Sequence, residues 1–190
     1  MALEQVQELF DFIEKSPSCF HVIDNVKKTL VEEGFEELFE NKKWQLQEGG
    51  KYFVTRNLSS IIAFKVPGKD FASFHIIASH SDSPTFKIKD NPEQQVKGKY
   101  VQLNTEKYGG MIFSTWFDRP LSVAGRALVK TDKGVETKLV NIDRDLVVIP
   151  NLAIHLDRTA NDGMKYNPQV NLLPLYGDAA STDTFDKLVA

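Results

Sequence analysis

The chain has 190 residues, 42% of them hydrophobic and 11% aromatic, enough to bury a core in one large domain or two small ones. Lys and Arg total 23 against 26 Asp and Glu, a formal net charge of -3, so no basic excess marks a nucleic-acid surface. No run reaches the roughly 18 apolar residues of a membrane span, the first residues carry an early acid rather than a signal pattern, and the single cysteine, Cys19, excludes an intrachain disulfide. The expectation is a soluble, cytoplasmic protein with neither nucleic acid nor membrane as a partner.

Leu3, Val6, Leu9, Phe10 and Ile13 recur at helical spacing, and the pattern stops at Ser16-Pro17. A second helix is predicted after Ser18, with Val22, Ile23, Val26, Leu30 and Val31 on one face and Gly34 as its stop signal. Cys19, at its start, reads as a small packing residue rather than a nucleophile. The acidic cluster Glu32, Glu33, Glu36 and Glu37 reads as a solvated face. Strand-like runs follow at Trp44 to Leu46, Lys51 to Arg56, Ile61 to Val66 and Ser73 to Ser79, with turns at Gly49-Gly50, Asn57 and Pro67-Gly68. After about residue 90 the helical periodicity disappears. Short strands are predicted at Tyr100 to Leu103, Ile112 to Phe117, Leu121 to Val129 and Lys138 to Ile142, with a hairpin turn at Asp132-Lys133-Gly134. The tail carries a helical hint at Phe185, Leu188 and Val189. The fold class is α/β, with a second, β-rich unit beginning near Asp90-Asn91-Pro92.

The segment from Phe74 to Pro84 carries the sharpest chemistry. Its short apolar run between turn signals predicts a buried strand, and open α/β sheets place their chemistry just beyond such carboxyl ends. Residues two apart in an extended chain share a face, so His80 and Asp82 are predicted to lie together, with His75 on the opposite side. A carboxylate beside an imidazole is how proteins hold a metal-binding histidine in one tautomer. Yet a catalytic zinc needs about three protein ligands, and a strand-end histidine beside a turn-capping Asp82 is the competing reading. His155 sits in apolar sequence between Ile149 and Arg158, where a hydrogen-bonded structural histidine is the usual outcome; His21 and His75 read the same way. Ser79, Ser81 and Ser83 lack the glycines of a nucleophile elbow, and Tyr108-Gly109-Gly110 lacks the lysine of a phosphate loop. Asp118 and Arg119 read as a structural ion pair.

Several blocks in a fixed order give these motifs a context. Ser16-Pro-Ser-Cys-Phe-His21, Ala78-Ser-His-Ser-Asp-Ser-Pro84, Tyr108-Gly-Gly through Trp116-Phe-Asp-Arg119, Val123-Ala-Gly-Arg126, Ile149-Pro-Asn-Leu-Ala-Ile-His-Leu-Asp-Arg158 and Asn171-Leu-Leu-Pro174 resemble the amino-terminal portion of an M18-family metallo-aminopeptidase, the aspartyl aminopeptidase family. The resemblance implies a two-zinc exopeptidase that cleaves N-terminal residues, acidic ones by the family name, from peptide substrates. It implies that His80 binds one zinc ion, that Asp82 is the catalytic carboxylate supporting it, and that His155 is a zinc ligand or reaches substrate in a neighbouring subunit. It also implies that residues 1–90 are part of the peptidase domain, that residues 91–190 are part of a β-rich assembly domain, and that the full-length protein is a homo-oligomer. Family members are more than twice this long, and their bridging aspartate, Glu-Glu pair and last histidine match nothing in residues 159–190. The 190 residues alone are therefore expected to be inactive. A non-catalytic assembly module that keeps the M18 framework, and an unrelated single-metal hydrolase, are the competing expectations.

Overall fold

The computed structural model describes residues 2–68, 70–180 and 183–190. It is a mixed α/β structure that divides into two compact units, Met1–Asp82 and Ser83–Ala190. Among the described residues they hold three sheets.

In the first unit, α1 spans Ala2–Glu14 and α2 spans Cys19–Glu32. Pro17 disfavours a helical Ser16, which separates the two. Gly34 ends α2 at a φ of +78°. Its N–H donates to the Val31 carbonyl at 3.0 Å, and the Phe35 N–H donates to Leu30 at 2.9 Å. This is the paired closure that a left-handed glycine makes possible. The chain then enters β1 (Glu36–Leu38), parallel to β2 (Lys51–Arg56), which pairs antiparallel with β3 (Ser60–Lys65). Strand β1 is absent from the sequence expectation because Glu36-Glu37 has no strand propensity. Glu37 is nonetheless accommodated by the Lys27 ammonium at 2.6 Å. Ile23, Leu38, Tyr52 and Phe53 form the buried interior.

Two expected strands of this unit do not form. Trp44 to Leu46 is irregular, with the Trp44 indole N–H donating to the Phe39 carbonyl at 2.9 Å and its ring lying 6.4 Å from that of Phe64. Ser73 to Ser79 is neither strand nor buried, and Ile77 is fully exposed at 100%. A strand exists only where a neighbour completes its ladder. Among the described residues nothing pairs with this segment, since the first sheet contains β1, β2 and β3 alone.

The second unit is built on β4 (Thr85–Val96) and β5 (Tyr100–Tyr108). They are joined by a tight turn with Lys97 and Gly98 at φ of 51° and 65°. Asp90-Asn91-Pro92 lies inside β4, where the register slips between Ile88 and Glu93; Pro92 has no N–H to give a ladder. A short 3₁₀ turn, Phe113–Trp116, replaces the strand expected at Ile112 to Phe117. It is closed by the Thr115 hydroxyl donating to Ile112 at 2.8 Å, and Trp116 meets Phe86 edge-on at 5.0 Å. Then come β6 (Pro120–Leu121), the β7–β8 hairpin (Ala124–Thr131 and Gly134–Asn141), β9 (Val147–Val148), α3 (Pro168–Asn171), β10 (Leu175–Asp178) and α4 (Phe185–Val189). The five-stranded sheet runs β4-β5-β10-β9-β6. Val101, Leu103 and Thr105 alternate on the buried face of β5. Leu103, Val147 and Phe185 form the core, with Ile88, Leu121 and Tyr176 against it.

Candidate functional site

His80 and Asp82 close the first unit, and the chain around them is neither helix nor strand. Ser81 fixes them locally. Its hydroxyl donates to the Ser59 carbonyl at 2.9 Å, tying the segment to the β2–β3 turn. Ser81 is thus a tether, a role that no sequence motif announces because its partner is 22 residues away.

The His80 Nδ1 atom lies 2.8 Å from the Asp82 main-chain carbonyl and 3.2 Å from the Asp82 Oδ1. A carbonyl only accepts, so Nδ1 carries the proton and donates. With that proton on Nδ1, the lone pair of the neutral tautomer lies at Nε2. The His80 side chain is 82% exposed, so the ring as a whole is open to solvent. This is the donor chemistry of a zinc ligand oriented by a neighbouring acceptor. It is one ligand and not a site. Among the described residues, no group of three or more His, Cys, Asp or Glu side chains converges on a common point, whereas a zinc centre needs three or four. The residues present do not assemble a two-zinc centre among themselves.

His155 belongs to the second unit. It is neither strand nor helix but lies in an exposed turn, with the N–H groups of Leu156 and Asp157 both reaching the Ala153 carbonyl at 2.8 and 3.2 Å. The Asp157 carboxylate accepts from the Thr159 N–H and hydroxyl at 3.0 and 2.7 Å. His155 is exposed, although its sequence context is apolar.

The remaining candidates have structural roles. His21 Nδ1 lies 2.8 Å from the Ser18 hydroxyl at the start of α2. Partial burial is the main cause that pushes its pKa below the ordinary 6.5; Asp24 works against that shift and Lys28 adds to it. Gly109 has a φ of +77°, and a Cβ there would meet Pro84 Cα at 3.3 Å, so the glycine serves a turn and not a phosphate. Asp118 and Arg119 do not form the expected pair: Asp118 Oδ1 accepts from the Asn151 N–H at 2.9 Å, and Arg119 reaches the Thr115 carbonyl at 3.4 Å.

The sequence profile of the family described as Aminopeptidase I zinc metalloprotease (M18) matches residues 12–187. The chain belongs to this family. It is 54% identical to "Probable M18 family aminopeptidase 2" of Clostridium acetobutylicum, over 97% of this chain and 43% of that protein. It is 45% identical to the aspartyl aminopeptidase of Dictyostelium discoideum, over 94% of this chain and 38% of that protein. Among solved structures, the Ape4 and Nbr1 complex contains a chain with a TM-score of 0.86 and 41% identity, covering 97% of this chain and 36% of that one. The S. cerevisiae mApe1 dodecamer gives a TM-score of 0.71 and 31% identity over 78% of this chain and 36% of its own. The M18 chain thus spans about two fifths of the length of the relatives it matches.

Proposed function

We propose that these residues are the amino-terminal portion of a zinc-dependent aminopeptidase that removes N-terminal residues from peptides in the cytoplasm. The observation that carries the reading is the His80–Asp82 pair: within a chain of the M18 family, it presents one imidazole nitrogen in the tautomer a metal requires. In that enzyme His80 would hold one zinc, and Asp82 would orient the ring and add negative charge behind it. His155, on its exposed turn, is a second ligand or a substrate contact. A zinc pair at such a site supplies Lewis acidity and an activated water. The ligands that complete the pair come from outside these 190 residues, so the segment alone does not turn over substrate. Residues 1–90 serve the peptidase domain and residues 91–190 an assembly domain, and the full-length protein assembles with its own copies; the dodecameric mApe1 supports that last step. Acidic N-terminal residues are the favoured substrates, a preference supported by the aspartyl aminopeptidase relative.

The test is His80→Ala in the full-length polypeptide, assayed side by side on Asp-, Glu- and Leu-based substrates with zinc content measured. Removing a group that only orients a metal ligand typically costs about 10–100-fold, so loss of a ligand is expected to cost at least about 100-fold in activity and to lower bound zinc. Unchanged turnover and zinc would refute the role of His80. A second reading, an assembly module without chemistry, is favoured by the exposed Phe74, Ile76 and Ile77. It predicts a full-length protein with no zinc-dependent turnover at all.

A further inference from the structure

Asp118 has a φ of +56°, a left-handed conformation that a residue with a Cβ keeps only where its surroundings impose it. Here they do. Phe117 bridges to Ile149, and the Asp118 N–H donates to the Ile149 carbonyl at 3.0 Å. The Asp118 carboxylate accepts the Asn151 N–H at 2.9 Å, and Asn151 in turn accepts the Leu152 N–H through its own Oδ1 at 2.9 Å. At the far end of the same loop, the Tyr166 ring packs against Phe117 with centroids 5.0 Å apart. Residues 117 and 118 therefore hold both ends of the loop whose turn carries His155.

Between those ends the hydrogen bonds described stay within the loop, from Leu156 and Asp157 to the Ala153 carbonyl and from Thr159 to the Asp157 carboxylate, and no side chain of residues 151–165 is buried. Leu152, Ile154 and Leu156 are exposed, and a cavity of about 150 Å³ lies between Phe117, Leu152 and Tyr166. Loops without buried side chains take their geometry from their anchored ends. We infer that Asp118 is a positioning residue for His155: its left-handed backbone and its carboxylate together fix the base of the loop, and thereby where the imidazole is presented. This rests on His155 serving the M18 active site.

Three variants of the full-length polypeptide separate the two properties of Asp118. Asp118→Asn keeps an acceptor oxygen and tolerates the left-handed backbone. Asp118→Gly keeps the backbone and loses the acceptor, and Asp118→Ala loses both. Hydrogen exchange of the peptide covering residues 150–156 is expected to match the parent in the Asn variant and to be roughly three- to tenfold faster in Gly. In Gly, kcat falls about fivefold or more in the His155-containing enzyme, yet less than twofold further when His155→Ala is already present. Unchanged exchange in the Gly variant overturns the inference, as does an equal loss of kcat in both backgrounds. If His155→Ala alone leaves kcat and KM unaltered, the role of His155 falls and takes the functional half of the inference with it; exchange then still decides whether Asp118 holds the loop. The Asn variant, which satisfies both requirements, guards against a misfolded Ala variant.

Discussion

His21 shows how a single side chain ties local structure to solution conditions. Its imidazole is partly buried beside Ser18, and that burial lowers its pKa below 6.5. The folded state thus takes up a proton less readily than the unfolded chain. Stability from this group is complete above pH of about 6.5 and is lost as the pH falls toward the lower folded value. Urea midpoints of the 190-residue chain are expected to drop between pH 7.5 and pH 5.5, with a smaller drop in His21→Gln. Equal drops in the two proteins would show that His21 does not contribute. The same scale explains what could be read of the candidate site. His80 and Asp82 are two residues apart, so their proximity follows from local geometry alone, whereas the Ser81–Ser59 tether and the Asp118–Asn151 bond span 22 and 33 residues and leave no local trace.

At the scale of elements, helices and hairpins were legible because their determinants are local. The apolar stripe and Gly34 delimit α2, and Asp132-Lys133 forms the turn between β7 and β8. Strands β1 and β4 were not: Glu36-Glu37 has poor strand propensity and pairs with β2 sixteen residues on, and in β4, although its partner is the next strand, Asp90-Asn91-Pro92 breaks the strand pattern where the register slips. The Ser73 to Ser79 run failed in the opposite direction, with strong propensity and no partner among the described residues. Packing decides which elements matter for stability. Leu103 on β5 is 1% exposed and lies in the core with Val147 and Phe185, so Leu103→Ala is expected to cost about 2–5 kcal/mol. Leu128 on β7 is 67% exposed, and Leu128→Ala should change stability by less than about 0.5 kcal/mol. Urea unfolding of the two variants is the check, and similar losses would contradict the assigned core.

Across the whole molecule, the balance of covered and uncovered apolar surface stands out. The described residues include no helix long and apolar enough to cross a membrane, yet Leu3, Phe10, Phe74, Ile76 and Ile77 are all exposed. The relatives that the chain matches are more than twice as long. The isolated 190 residues are expected to self-associate through residues 74–77. Sedimentation velocity should show a concentration-dependent rise in mass that Ile77→Lys reduces. An unchanged profile in the variant would locate the sticky surface elsewhere.

Asp82 bonds the His80 ring through two oxygens of different heredity. The carboxylate oxygen can be erased by a single codon change; the main-chain carbonyl at 2.8 Å belongs to whatever residue occupies position 82. As long as the backbone keeps its path, that carbonyl remains an acceptor for Nδ1 through any substitution there. Mutation at this position can therefore alter the charge behind the histidine without removing that acceptor, so the two properties are open to selection separately.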